Sequence, residues 1–244
     1  MREVGLPRKQ GLYDPAHEHD ACGVGFVAHI EGVKSHEIVQ QGLEALRNLE
    51  HRGACGCDPD SGDGAGILIQ MPDAFLRREA KALGIELPEP GAYACAMVFL
   101  ALDESAAARQ RGEFERIVRE EGQTVLGWRE VPCAPDAIGP IARQGLPRIQ
   151  QLFIGAADGL RDLAFERKLY VIRRLAEKAN ASDSDFFYVP SCSSRTLVYT
   201  GMLISRQIHD FYPDLEDREL VSALALVHSR YSTNTMPTWS LAHP

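Results

Sequence analysis

The segment His19-Asp20-Ala21-Cys22-Gly23-Val24-Gly25-Phe26-Val27-Ala28 places a cysteine after a small residue and before a glycine-spaced apolar run that reads as a strand. A thiol there sits at the mouth of a strand with little side-chain bulk around it. If the Ala21–Cys22 bond is cut, Cys22 carries both a thiol and a free α-amino group. A thiol ordinarily titrates near ~8.5 and an α-amine at about 7.7–8.0, so the amine can serve as the thiol's own base near neutral pH. An N-terminal amine paired with a nucleophile on the same residue is a recognised catalytic arrangement. The alternative is a small buried cysteine at a strand start, since cysteine is among the residue types most often buried.

Three other stretches have side chains that suit chemistry. In His228-Ser229-Arg230-Tyr231-Ser232-Thr233 a guanidinium follows directly on an apolar strand. Arg presents paired donors that match a carboxylate, so Arg230 suits an amino-acid substrate; an ordinary surface ion pair is the other reading. Asp58-Pro59-Asp60-Ser61-Gly62-Asp63-Gly64 resembles a calcium loop at first sight. The template fails, because Gly62 stands where the fifth-position ligand belongs and Ile69 where the twelfth-position glutamate belongs. A flexible acidic turn beside an active site fits the same residues. Cys55-Gly56-Cys57 is too closely spaced for the usual zinc pair, and no second pair at metal spacing follows, so no metal ligands are assigned.

Bulk properties exclude several classes. The chain has 244 residues, 45% hydrophobic and 25% charged, as in an ordinary globular protein. A formal charge of −8 argues against nucleic acid or an anionic membrane as the main partner. Six cysteines scattered over the chain do not form the framework of a small secreted domain. Met1 to Ala21 lacks the apolar core of a secretory signal, and no run is long and apolar enough to span a bilayer. A cytoplasmic protein with reduced thiols is expected.

The elements that must position these residues follow from periodicity. Cys22–Ile30 reads as a strand, and Ser35 as the N-cap of a helix to about Glu50, with Ile38, Val39, Leu43, Leu46 and Leu49 at helical spacing. That helix stops at His51-Arg52-Gly53. Residues 66–71 form a second strand, and Pro72 opens a helix carrying Phe75, Leu76 and Leu83. Tyr93–Leu102 is a third strand with Cys95 buried in it, followed by a charged helix from Ser105 to Glu121 and a strand over 125–131. The Pro/Gly-rich stretch 132–147 reads as a loop or a subdomain seam. Strand 149–156, a helix from Asp162 to Lys178, a strand pair over 185–190 and 195–203 around a Ser-rich turn, and strand 221–228 complete the pattern. Strands outnumber long helices, which favours a layered α/β or α+β domain.

Several of these stretches, taken in order, resemble one family. They are Gly11-Leu12-Tyr13-Asp14-Pro15, Glu18 to Phe26, Leu46-Arg47-Asn48-Leu49-Glu50-His51-Arg52-Gly53-Ala54, Ser61-Gly62-Asp63-Gly64-Ala65-Gly66-Ile67, Ser193-Ser194-Arg195-Thr196, Phe211-Tyr212-Pro213, and Ser222 to Trp239. From Gly11 onward the chain resembles the glutamine-hydrolysing domain at the start of the glutamate synthase large subunit. The resemblance implies a class II glutamine amidotransferase of the N-terminal-nucleophile hydrolase type, with an α+β, four-layer αββα sandwich. It implies a propeptide, residues 1–21, removed to expose Cys22, and an amidotransferase domain over 22–244.

On that resemblance Cys22 is the nucleophile and its amine the base. Arg230 binds the substrate α-carboxylate, Tyr231 and Thr233 line the same pocket, and Arg52 matches an arginine near the nucleophile. The implied substrate is L-glutamine, with ammonia passed to 2-oxoglutarate in a synthase domain of the full-length enzyme, which also works with a small reductase subunit. No cofactor is expected in this chain; FMN and an iron–sulfur cluster are implied for the rest of the family enzyme. The family's oxyanion-hole Asn-Gly pair and its ammonium-binding acid have no counterpart up to Pro244, and Asn234 is followed by Thr235. A C-terminally incomplete domain, weak or inactive in glutamine hydrolysis by itself, is therefore expected. The alternative is a domain of the same kind retained for binding or regulation without catalysis.

Overall fold

Apolar runs buried on both sides and amphipathic helices between them assemble into two antiparallel sheets. The computed structural model describes residues 8–12, 14, 22–54, 58–181, 186–232 and 235–243. Among these, eight strands are formed: β1 (Gly23–Ala28), β2 (Ala65–Gln70), β3 (Tyr93–Leu100), β4 (Thr124–Glu130), β5 (Arg148–Gly155), β6 (Tyr188–Ser193), β7 (Thr196–Gly201) and β8 (Leu224–Ser229). The helices are α1 (His36–Asn48), α2 (Asp73–Ala82), α3 (Glu104–Glu120), α4 (Pro140–Gln144), α5 (Asp162–Ala179) and α6 (Gln207–Phe211). One sheet has the order β1-β8-β2-β7 and the other β4-β5-β3-β6.

Local chemistry explains the boundaries. Ser35 caps α1, its hydroxyl accepting from the Ile38 amide at 3.4 Å, and the Asp103 carboxylate caps α3 by accepting from Ala106 N at 2.8 Å. Leu83 caps the end of α2 and is exposed, so it is not one of the apolar residues that the second helix buries. Helix α1 lies directly on the first sheet because Gly42 has no side chain. A Cβ there would come within 2.5 Å of the Ala225 Cβ on β8. All eight residues of β3 are buried. Its odd positions Cys95, Met97 and Phe99 join one core with α1, α2 and the first sheet. Its even positions Ala94, Ala96, Val98 and Leu100 join a second core under α3 and α5. The α+β class and two antiparallel sheets faced by helices agree with what the resemblance implies.

Two expectations need correction. The Pro/Gly-rich stretch 132–147 is neither a loop throughout nor a seam: it holds a 3-10 turn at Pro135–Ala137 and helix α4. Its Ile138 and Ala142 are buried, and the Trp239 indole donates to the Ala142 carbonyl at 3.0 Å. Strands β6 and β7, consecutive in sequence, do not pair with each other but enter different sheets, β6 against β3 and β7 against β2. The serines of the connecting turn account for this. Ser193 Oγ accepts from Arg195 N and Thr196 N, while the Glu166 carboxylate on α5 accepts from both serine hydroxyls and from Ser194 N. Side chains thus take the hydrogen bonds that a hairpin ladder would have made.

A buried ion network joins the two sheets through the loops between them. Arg129 on β4 forks onto Asp214, both bonds at 2.8 Å, and reaches Glu79 on α2 at 2.9 Å. Asp214 also accepts from the Tyr199 hydroxyl on β7 at 3.0 Å. No described helix is long and apolar enough to cross a membrane.

Candidate active site

The site forms where β1 begins and β8 ends. Antiparallel register pairs Gly23 with Ser229, which brings Cys22 level with Arg230. The Cys22 sulfur is half-buried and lies against the Tyr231 peptide: it accepts from Tyr231 N at 3.4 Å and donates to Tyr231 O at 3.6 Å. Arg52 stands in the 3-10 turn Glu50–Arg52 that follows α1. Gly23 lets that turn come close, since a Cβ on it would lie 2.7 Å from the Arg52 Cβ. Cys22, Arg52, Arg230 and Tyr231, chosen from spacing and resemblance, are therefore brought to one end of the first sheet. Thr233 and Ala21 lie outside the described residues, as do Cys55 and Cys57.

Arg230 is fixed by both its backbone and its side chain. Its amide donates to Gly64 O at 2.8 Å and its carbonyl accepts from Ala54 N at 3.3 Å. The guanidinium is largely buried; Nη1 donates to Asp63 O at 3.2 Å and Nη2 to Thr235 Oγ1 at 2.6 Å. A surface ion pair does not describe this residue. A cavity of about 90 Å³ opens beside it, lined among others by Gly53, Gly64, Ser205, Arg206 and Ser229, but not by Cys22. Ser205 and Ser229 close one wall through a 2.9 Å hydroxyl contact, and Arg206 spans Glu50 and Asp60 on the rim at 2.6 and 3.0 Å.

The imidazole beside Arg230 is held neutral by its surroundings. Burial lowers the His228 pKa below its ordinary value, and the nearby Arg230 charge acts in the same direction against the bond to Ala242 O. His228 is thus a neutral packing residue, set against the tilted ring of His243 with centroids 5.6 Å apart. The cysteines divide clearly. Cys95 is fully buried and its thiol pKa is raised by burial, and burial likewise raises Cys192 to about 12. The acidic loop is a hydrogen-bonded turn in which Asp58 accepts from Ser61 Oγ, Asp60 N and Ile141 N.

Two contributors escaped the sequence reading. Asp63, 6% exposed, accepts from Ser232 N at 2.6 Å; an acid between two glycines carries the signature of a turn and nothing more. Thr235, five residues past Arg230, touches its guanidinium, a contact that only a tight return of the chain creates.

The family model described as glutamine amidotransferases class-II matches residues 22–244. The chain belongs to this family. It is 51% identical over 240 residues to the glutamate synthase [NADPH] large chain of Bacillus subtilis, covering 98% of this chain and 16% of that protein. It is 41% identical over 246 residues to the glutamate synthase [NADH] of Schizosaccharomyces pombe, covering 98% of this chain and 12% of that one. It is 42% identical over 227 residues to the ferredoxin-dependent glutamate synthase 2 of a Synechocystis strain, covering 93% and 14% respectively. The chain thus spans about a sixth or less of the length of these relatives. It is a glutamine amidotransferase domain similar to that stretch of glutamate synthases.

Proposed function

We propose that Cys22 is the nucleophile that removes the side-chain amide nitrogen of L-glutamine. The observation that carries this is the sulfur held against the Tyr231 peptide, one residue from a buried and pre-positioned Arg230. Residues 1–21 are a propeptide, and their removal frees the Cys22 α-amine; a family match that opens at Cys22 supports this reading. The α-amine takes the thiol proton and the thiolate attacks the amide carbon. The C–N bond then breaks, and ammonia leaves with the proton returned by the amine. A thioester remains, and water cleaves it to glutamate and the thiol. Beyond its bonds to Asp63 and Thr235, the Arg230 guanidinium has further N–H groups with which it clamps the α-carboxylate. On the family resemblance Tyr231 and Thr233 are assigned to substrate binding, and Arg52 supports the nucleophile from the neighbouring turn.

In the longer protein that the relatives suggest, ammonia passes to 2-oxoglutarate in a synthase domain, served by a reductase subunit, in the cytoplasm. FMN and the iron–sulfur cluster belong to those other parts. Among the described residues no group of three or more Cys, His, Asp or Glu is placed to hold a metal ion.

The test has two readouts. A chloroketone analogue of glutamine should label Cys22 once residues 1–21 are removed, with peptide mapping to locate the label. Arg230→Lys in the full-length enzyme should raise the KM for glutamine roughly ten- to hundredfold, since one ammonium cannot reproduce a bidentate fork. Label chiefly on another cysteine, or an unchanged KM, sinks the corresponding assignment.

A further inference from the structure

The glutamine reading uses the Arg230–Tyr231–Ser232 segment but does not explain what holds it on the sulfur. No strand continues there, because β8 ends at Ser229. The segment is gripped instead by two non-adjacent loops. Upstream of Tyr231, the Arg230 amide and carbonyl are taken by Gly64 O and Ala54 N, at 2.8 and 3.3 Å. Downstream, the Asp63 carboxylate accepts from Ser232 N at 2.6 Å. The Asp63 amide donates to Ala54 O at 2.9 Å, and its carbonyl accepts from the Arg230 guanidinium at 3.2 Å. One residue thus ties both loops, the guanidinium and the far side of the Tyr231 peptide. Asp63 is buried, so a broken contact would leave a buried anion without its partner.

We propose that Asp63 is the positioning residue of this site: through Ser232 N–H it sets the Tyr231 peptide on the Cys22 sulfur, and through its carbonyl it sets the Arg230 fork. It touches neither sulfur nor substrate in this scheme. The inference rests on Cys22 being the nucleophile. The short bond from the Ser232 amide to the Asp63 side-chain oxygen is directional and holds that peptide plane in one orientation. The short Gly62-Asp63-Gly64 sequence allows the acid to enter so tight a space. Gly64 has φ of +146°, and a Cβ on Gly62 would meet the backbone of Leu203 and Ile204.

The experiment measures the rate at which the chloroketone glutamine analogue labels Cys22 in the processed full-length enzyme, with Cys95 and Cys192 as internal reporters of unfolding. Asp63→Ala should slow Cys22 labelling by roughly ten- to hundredfold, the size of a lost charge-assisted contact, while Cys95 and Cys192 stay protected. Asp63→Asn, which keeps an oxygen facing Ser232 N–H, should restore most of the rate. A merely structural acid gives a different pattern: both variants lose labelling together, and the fully buried Cys95 becomes reactive. That pattern overturns the proposal, as does an Asp63→Ala rate equal to wild type.

Should Asp63→Ala fail to fold, the wild-type Ser232 amide decides. A far-downfield, slowly exchanging proton supports the tie, and exchange at the rate of an exposed loop overturns it. A wild-type enzyme that leaves Cys22 unlabelled defeats the glutamine reading itself and this inference with it. Labelled wild type with no Asp63 effect defeats this inference alone.

Discussion

The two sheets are built from the same kinds of residue and put them to opposite uses. In the sheet β4-β5-β3-β6, strand β3 is buried from end to end and helices α3 and α5 seal its outer side. In the sheet β1-β8-β2-β7, α1 covers one face, while the other leaves Val24, Phe26 and Leu226 at 58, 71 and 40% exposure. Cysteines show the contrast most directly. Cys95 and Cys192, in the sealed sheet, have thiols whose pKa is raised by desolvation. Cys22 stands just outside the open one, where backbone groups rather than hydrocarbon surround the sulfur. Burial makes a cysteine inert, and a ragged strand end makes it available.

The largest effect should separate these thiols. In the folded protein, electrophile labelling of Cys22 should outpace that of Cys95 and Cys192 by at least about a thousandfold, because the thiolate is the reacting species and burial suppresses it. Mass-spectrometric mapping of an alkylation time course measures this, and comparable rates would erase the distinction between the sheets.

Next comes the tie between them. Asp214→Ala takes from Arg129, whose side chain is 4% exposed, the carboxylate it forks onto and leaves only Glu79 to balance a buried cation, and should cost about 3–5 kcal/mol in urea unfolding. A third experiment tests the faces: Phe99→Ala should cost about 3–5 kcal/mol, whereas Phe26→Ala should change stability by no more than about 0.5 kcal/mol. Similar losses for both would mean that the face carrying Phe26 is packed in solution.

The smallest effect concerns pH. Burial lowers His243 to about 4 and shifts His228 in the same direction, so both are neutral in the fold. The unfolded chain, with histidines at ordinary values near 6.5, binds these protons first. Stability from both groups is complete above about pH 6.5 and is lost as pH falls toward the folded values, by at most about 1.4 kcal/mol per unit for each histidine. Glu79 and Asp217, held below the usual carboxylate range, act at lower pH, so the interval from about pH 6.5 to 5 isolates the imidazoles. Urea midpoints across that interval should fall in the wild type and fall less in His243→Phe.

Much of this was legible in the sequence where chemistry is local. Ser35 before an i, i+3, i+4 apolar pattern specifies α1, and the unbroken run over 93–100 specifies a strand buried on both faces. Cys22 and Arg230 stood out because a small-residue strand entry and a post-strand guanidinium are both unusual. The pairing of strands was not legible. β6 and β7 read as a hairpin because they are adjacent, and only the acid on α5, 27 residues from Ser193, shows why they part. Asp63 was hidden for the same reason: its partner Ser232 is 169 positions away.

The nesting of the sheets in the chain bears on the order in which the protein folds. The sheet β4-β5-β3-β6 is drawn from a continuous run, residues 93–193, whereas the first sheet takes β1 and β2 from before it and β7 and β8 from after it. Contacts close in sequence form faster, because less loop entropy opposes them. The continuous sheet is therefore the early-forming part, and its completion brings β7 back toward β2. Only then can β8 slide between β1 and β2, bringing Tyr231 to a sulfur 209 positions upstream. Quenching of Cys22 exposure during refolding would time this last closure. The reactive centre is thus the final piece of the first sheet to assemble, and a chain stalled before that closure has the sealed sheet but no site.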